Sequence, residues 1–277
     1  MHNIADLHTH TRCSDGALTT EELISRAQQA GISILSVTDH DSVDGVARAI
    51  AEAKPCGITV LPGIEMSAKF NDREIHILGY CFDYEHQELR KCVDLFRDQR
   101  VRRMERMVKK LNSMNIPLKV EDVMKQAGNA VVCRPHIALA MVEQKLAGSY
   151  YEVFQKFIND IGPAYEQKPD FPLEKALKLI ADAGGLSFLA HPKNSYTSKE
   201  LVSIIKLGID GIETVHPCHT EAMQQFYRGI TNEYYLLECG GSDFHGGLRG
   251  DDRNFGQFGI SLEGVDRMQQ RIRKRFL

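Results

Sequence analysis

Residues 32–57 read ISILSVTDHDSVDGVARAIAEAKPCG. The apolar run that opens this stretch ends in Thr38, Asp39, His40 and Asp41, as a strand does when it reaches a polar sheet edge. An amphipathic segment follows and closes on Pro55 and Gly57, a helix with its terminators. The same alternation holds on both sides. Upstream, LTTEELISRAQQAG (18–31) begins with Thr19 or Thr20 ahead of acidic residues and stops at Gly31, the start and stop signals of a helix. Downstream, ITVLPGIEMSA (58–68) and REIHILGYCF (73–82) read as further strands. Strand and helix alternating in this way predict an α/β fold with a mostly parallel sheet or barrel.

Bulk properties agree with a globular chain. The protein has 277 residues, 43% hydrophobic and 26% charged, with a formal net charge of -3. This is long enough for one large domain, or one domain carrying an insertion. The charge balance demands neither a nucleic-acid nor a membrane partner, although a nucleotide needs only a local positive site. The seven cysteines (13, 56, 81, 92, 133, 218 and 239) are odd in number and scattered, and Met1 leads into polar residues. Neither a disulfide scaffold nor secretion is expected. Apolar runs such as ISILSV are too short to span a bilayer. A reduced, cytoplasmic protein follows.

From about Glu85 the character changes to a long charged amphipathic helix, ELRKCVDLFRDQRVRRMERMVKKLNSMNI, and then shorter helices. Alternation returns with FPLEKALKLIADAGG, LSFLAHP and ELVSIIKLGIDGIETVHP. The expected organisation is a barrel domain from residues 1–84 and 170–277 with a helical insertion, or cap, at 85–169. The basic stretch RDQRVRRMERMVKKL is interleaved with Asp94, Asp98 and Glu105 and lacks aromatic residues, so it predicts a solvated helix face. An oligonucleotide substrate would still lie there.

Histidines and carboxylates gather at strand ends. His8 and His10 close IADLHTH, Asp39 and His40 close ISILSVTDH, Glu65 closes ITVLPGIE, His191 closes LSFLAHP, and Asp243 with His245 follow LLECGG. The carboxyl ends of parallel strands form the functional face of such folds. An H-x-H on a strand points both imidazoles to one side, and Asp243 and His245 repeat that spacing. Imidazole nitrogens mixed with carboxylate oxygens, without thiolates, suit Zn, Mn or Fe. His2 and His86 read as ordinary surface or hydrogen-bonded residues, and His216, just before a proline, as structural.

The segments DLHTHTRCSDG, VTDHDSVDG, PGIEMSA, IHILGY, AHP and GSDFHG resemble, in order, the motifs of the polymerase and histidinol phosphatase (PHP) domain family. CRPHIA, in the helical insertion, resembles its nucleotide-phosphoesterase branch, which includes phosphatases of 3′,5′-bisphosphonucleotides and RNase AM-like 5′-to-3′ exoribonucleases. The resemblance implies a distorted, TIM-like (β/α)7 barrel with two or three divalent ions (Mn, Fe or Zn) at its mouth. It places His8, His10, Glu65 and Asp243 around a first metal. Glu65 then bridges to a second ion held by His76 and His191, and Asp15, His40 and His245 form a third site. Asp15 stands where some relatives carry a His, so the third ion is expected to bind more weakly or in part of the molecules. Asp243 is counted as catalytic as well as ligating.

Such a cluster can bring a bridging water toward a pKa of ~7 and hold a phosphate oxygen. No Ser or Cys lies in a nucleophile-elbow pattern, so a covalent intermediate is not expected. Arg134 in CRPHIA is the expected phosphate clamp, since guanidinium binds phosphate through paired hydrogen bonds. His219 is the expected phosphate contact or leaving-group acid. His136 and Lys193 fit a functional or a structural role equally. The expected activity is hydrolysis of a phosphate ester of a nucleotide, such as a 3′,5′-bisphosphonucleotide, or of a short RNA or DNA 5′ end. Histidinol phosphate is the alternative substrate, and a non-catalytic module and an amidohydrolase are the alternatives of other classes. No protein partner is evident, and the tail after Gly246 matches no motif.

Overall fold

The computed structural model describes residues 4–275; His2 lies outside them. In chain order, β1 (Ile4–Thr9), α1 (Thr20–Gln29), β2 (Ile34–Val37) and α2 (Val46–Ala53) come first, followed by β3 (Thr59–Phe70) and β4 (Arg73–Tyr80). The helical segment holds α3 (Gln87–Ser113), α4 (Val120–Ala127), α5 (Arg134–Glu143) and α6 (Tyr150–Val153). Then come α7 (Leu173–Asp182), β5 (Leu186–Leu189), α8 (Ser198–Lys206), β6 (Gly211–Val215), α9 (Glu221–Glu233), β7 (Leu237–Gly240), β8 (Ile260–Ser261) and α10 (Leu262–Arg275). Two compact units result, one from residues 1–91 and 171–277 and one from 92–170, so the division falls inside α3.

In the first unit the local signals act as read. Thr19 and Glu22 cap α1 reciprocally, Glu22 N donating to Thr19 Oγ1 (3.2 Å) and Thr19 N to Glu22 Oε2 (2.7 Å). Thr197 and Glu200 do the same for α8. The sheet order is β7-β6-β5-β4-β3-β2-β1-β8. β1, β2 and β3 are parallel, as are β5, β6 and β7. A bridge between Thr9 and Phe244 closes the ring of β1 to β7, while β8 adds antiparallel to β1. The sheet is thus the expected barrel, with one reversal: β4 is antiparallel to both β3 and β5. Asn71 and Asp72, both in the left-handed region (φ 47° and 59°), make the two-residue turn that such a hairpin requires.

Leu61, Leu78, Tyr80, Leu186, Phe188 and Cys239 belong to the buried cluster below the mouth. Burial pushes the Tyr80 hydroxyl pKa up, and this hydroxyl donates to Leu7 O (2.7 Å) where the β1–β2 register is interrupted between Asp6 and Thr9. A side chain thereby satisfies a backbone carbonyl near the break. Tyr80→Phe is expected to cost about 1–2 kcal/mol, the value of leaving a buried carbonyl without its donor, measured by urea unfolding.

The second unit packs α3, α4 and α5 around Met104, Met107, Leu111, Val123, Ile137 and Met141. The basic helix departs from the expected solvated face on one side. Asp94, Asp98 and Glu105 are exposed, but Arg100 and Arg103 are buried. Arg100 donates to Val132 O (3.3 Å) and Arg103 to Glu166 O (2.7 Å), while Arg106 and Lys110 pair with Glu166. These cations serve as anchors for loop carbonyls, a use that charge patterning cannot reveal. All seven cysteines are free thiols, and no described helix is long and apolar enough to cross a membrane.

Candidate metal centre

Glu65 is the hub of the barrel mouth. Its Oε2 lies 3.3 Å from His8 Nε2, 3.3 Å from His10 Nε2 and 3.0 Å from His40 Nδ1. Its Oε1 lies 2.7 Å from His76 Nδ1 and 2.8 Å from His191 Nε2. One fully buried carboxylate therefore faces five imidazoles, split between its two oxygens. Asp243 Oδ1 adds a second carboxylate to the first group, 3.4 Å from His8 Nε2 and 3.2 Å from His10 Nε2. On the far side of His10, Asp15 Oδ1 stands 3.4 Å from His245 Nε2 and 3.9 Å from both His40 Nε2 and His10 Nδ1.

All nine residues expected as ligands thus converge, although not all by strand-end placement. β3 runs on to Phe70, so Glu65 sits in mid-strand. His76 lies early in β4 and reaches the mouth only because β4 runs backwards, opposite Ser67. Asp243 and His245 follow the end of β7. A turn with Asp243 at φ 50°, and not strand alternation, brings them together. His191 is also left-handed (φ 26°). Non-glycine residues held there cost about 1–3 kcal/mol each and gather at functional sites.

The donor set fits divalent cations. Both ring nitrogens of His10, His40 Nδ1 and His245 Nε2 are buried without a hydrogen-bond partner, although carboxylate oxygens stand 3.0–3.9 Å away. A buried polar atom left in this way costs about 1–3 kcal/mol, and a cation among them would remove the cost. Among the described residues, ligand atoms lie within 4.8 Å of one another in His8, His10, Glu65 and Asp243, in His10, Asp15, His40 and His245, in His40, Glu65 and His76, and in His8, Glu213 and His216.

Charge is balanced across the cluster. Burial alone would push the Glu65 carboxyl up, but the imidazoles of His40, His76 and His8 pull it well below the usual carboxylate range. Against the same burial, His40, His245 and Arg249 hold Asp15 well below that range, and His8 and His245 do so for Asp243. Burial disfavours the charged form of His8, yet Glu213, Glu65 and Asp243 outweigh it and raise its pKa well above the ordinary value. Burial lowers His40, His191 and His245.

Several residues of the mouth were not among the expected ligands. Glu213 accepts from His191 N (2.6 Å) and bonds His8 Nδ1 (2.9 Å), fixing which nitrogen of His8 faces Glu65. His216 Nε2 lies 3.4 Å from Asp243 Oδ2, and despite burial Glu213 and Asp243 push its pKa up to about 9. The tripeptide Gly-Ile-Glu at 211–213 repeats that at 63–65, and His-Pro at 216–217 repeats 191–192. That repetition was the available signal. Glu74 Oε1 bonds His76 Nε2 (2.8 Å). Asp39 braces the loop after β1, accepting from Thr11 N (2.8 Å) and Ser14 Oγ (2.6 Å).

The two expected substrate contacts are otherwise engaged. His219 Nδ1 bonds Thr214 O in β6 (3.0 Å), and its Nε2 accepts from Lys193 N (3.2 Å), so one nitrogen anchors the ring on β6 and the other braces the turn after His191. Arg134, at the start of α5 in the second unit, pairs with Asp160 (2.6 Å) and donates to Ile158 O (3.1 Å). His136 Nδ1 accepts from Cys133 N (2.9 Å) at the head of that helix, a cap.

Comparison with known proteins agrees with this geometry. The PHP domain model matches residues 6–159. A 3′,5′-nucleoside bisphosphate phosphatase from Chromobacterium violaceum is 32% identical over 88% of this chain and 88% of its own. A 5′-3′ exoribonuclease from Haemophilus influenzae is 31% identical over 87% of this chain and 89% of its own. A crystal structure from Bifidobacterium adolescentis, named for a metal-dependent phosphoesterase, superposes with a TM-score of 0.89 at 26% identity, covering 98% of this chain and 97% of that one. By its motifs, its barrel and these matches, the chain belongs to the PHP domain family.

Proposed function

We propose that this protein is a metal-dependent phosphoesterase. Its substrate is a phosphate ester of a nucleotide, such as a 3′,5′-bisphosphonucleotide cleaved to a mononucleotide and phosphate, or the 5′ end of a short oligonucleotide. The observation that carries the reading is Glu65, whose two oxygens face two imidazole groups, the arrangement a carboxylate shared between neighbouring cations needs. His8, His10, Glu65 and Asp243 hold one ion, Glu65, His76 and His191 a second, and Asp15, His40 and His245 a third. Mn, Fe or Zn suits this donor set. When bound, such ions neutralise phosphate charge and make water a nucleophile near neutral pH.

The chain's own residues orient that chemistry. Glu213 and Glu74 bond the outward nitrogens of His8 and His76, as outer carboxylates do for metal-bound imidazoles. The Asp243 carbonyl bonds His245 Nδ1 (2.7 Å) and points Nε2 at Asp15. His219 positions the Lys193 turn. Arg134 is a phosphate contact whose present partner, the exposed Asp160, is an anion that phosphate would replace. An exposed pair of this kind contributes little.

A phosphate-release screen with added Mn tests the reading. It compares mononucleotides, a 3′,5′-bisphosphonucleotide, 5′-phosphorylated short RNAs and histidinol phosphate, with His8→Ala as the inactive control. Fastest turnover on the bisphosphonucleotide or RNA is expected. Preference for histidinol phosphate overturns the nucleotide assignment, and a protein that neither holds Mn, Fe or Zn nor gains activity from them is a structural module.

Binding is also expected to depend on pH. His8 must release the proton that Glu213, Glu65 and Asp243 help it keep. Its pKa is raised, so apparent metal affinity rises with pH as that proton becomes easier to release. Calorimetric Mn titrations in buffers of different ionisation enthalpy should show net proton release; none at pH 7 would contradict this account.

A further inference from the structure

The third ligand group differs from the first in one respect that the sequence motifs do not show. Asp15 offers Oδ1 to His245 and His40, but its Oδ2 accepts a 2.8 Å hydrogen bond from Arg249 Nη2. The carboxylate is almost fully buried, while the Arg249 side chain keeps about a third of its surface (34%) in solvent. The first group places two carboxylates, Glu65 and Asp243, against one ion. The third has one carboxylate, and Arg249 already carries a charge that cancels it. Arg249 acts electrostatically on His245 as well as on Asp15.

The loop that carries Arg249 is held by other bonds. His245 N and Gly247 N (2.8 Å) both donate to the Asp251 carboxylate. Ala17 N donates to His245 O (2.9 Å), and Arg26 pairs with Asp252 (2.8 Å). Gly246, Gly247 and Gly250 supply the left-handed backbone that the turn requires (φ 79°, 87° and 67°). The Arg249–Asp15 contact is therefore not what docks the loop.

We infer that Arg249 is a positioning residue that sets the occupancy of the third cation position, holding one Asp15 oxygen and keeping a fixed positive charge beside the His40–His245 pair. The inference rests on the metal-centre reading above. A divalent ion entering this group meets a net-neutral shell and the repulsion of a guanidinium that is hydrogen-bonded to its one carboxylate, a like-charge interaction that opposes binding. The third ion binds weakly for that reason, and the protein works with a site that fills only at high metal concentration.

Calorimetric titration of the metal-stripped full chain with MnCl2, together with Mn content after gel filtration, tests this in the wild type, Arg249→Met, Arg249→Gln and Arg249→Lys. The expected result is a third Mn bound about tenfold more tightly, or more, in Arg249→Met and Arg249→Gln. The first two ions should change less than about twofold, and Arg249→Lys should stay close to wild type. Thermal melts of the metal-free proteins confirm folding, and Gln, which still hydrogen-bonds, separates charge from loop packing. A third ion that is unchanged or weaker in both neutral variants overturns the inference; weaker binding would mean that Arg249 serves to hold Asp15 in place. If the wild type binds no Mn at all, the metal-centre reading fails, and this inference with it.

Discussion

Glu65→Gln is expected to empty the centre and reduce phosphate release by about a thousandfold or more. The change keeps volume but turns one acceptor oxygen into an amide donor and removes the one carboxylate that faces His8, His10, His40, His76 and His191 together. Two cations would lose their shared anionic ligand. The charge stabilisation that bound metal supplies amounts to several kcal/mol, and each 1.36 kcal/mol is tenfold in rate. Metal content by elemental analysis should fall in parallel with the rate. A Glu65→Gln protein that retains both its metal and its turnover would show that the chemistry lies elsewhere. Circular dichroism separates loss of metal from loss of fold, because the surrounding barrel makes its own backbone bonds.

The second large effect is expected at Gly241. A Cβ built there falls 2.4 Å from His8 N, 2.5 Å from His8 Cβ and 2.7 Å from Asp6 Oδ1. The first is a backbone atom and the second the Cβ fixed to that same backbone, so neither can swing aside at the seam where β7 returns to β1. Ser242 N donates to Asp6 Oδ1 (3.0 Å) across the seam, and His8 N to the same oxygen (3.3 Å). A methyl group would push β1 and β7 apart and carry His8 out of the cluster. Overpacking of this kind costs about 3 kcal/mol or more, so Gly241→Ala should lower Tm by roughly 10 °C and weaken metal binding. Gly229 in α9 has nothing within 4 Å of such a Cβ. Gly229→Ala should therefore be neutral or stabilising by up to about 1 kcal/mol. Equal effects at the two positions would refute the steric account.

The reading of the site from sequence rested on residues whose placement is local. His8 and His10 lie at and just past the end of β1, and His191 just past the end of β5. Such positions can be named once strands are located, because a parallel sheet presents its carboxyl ends on one face. His76 could be named only through family resemblance. The hairpin that reverses β4 depends on two turn residues, Asn71 and Asp72, inside a stretch that otherwise reads as one more strand. His219 and Arg134 can be named as candidate phosphate contacts from sequence, but the neighbours they bond in this structure, Thr214 and Lys193 for the one and Asp160 and Ile158 for the other, are set by the fold. Glu213 was missed although Gly-Ile-Glu occurs twice, because its partner His8 is 205 residues away.

By itself, the sequence determined the elements: the cap at Thr19, the strand and helix periods, and the set of imidazoles and carboxylates near strand ends. These follow from interactions among residues a few positions apart, which any reader of the chain can pair. Only the tertiary structure decided which side chains share an atom. It set the antiparallel turn that delivers His76, the closure at Gly241 that seats His8, the arginines spent on carbonyls in α3, and the guanidinium of Arg249 on Asp15. Those outcomes depend on register and closure summed around a whole barrel, where a displacement of an ångström exchanges one partner for another.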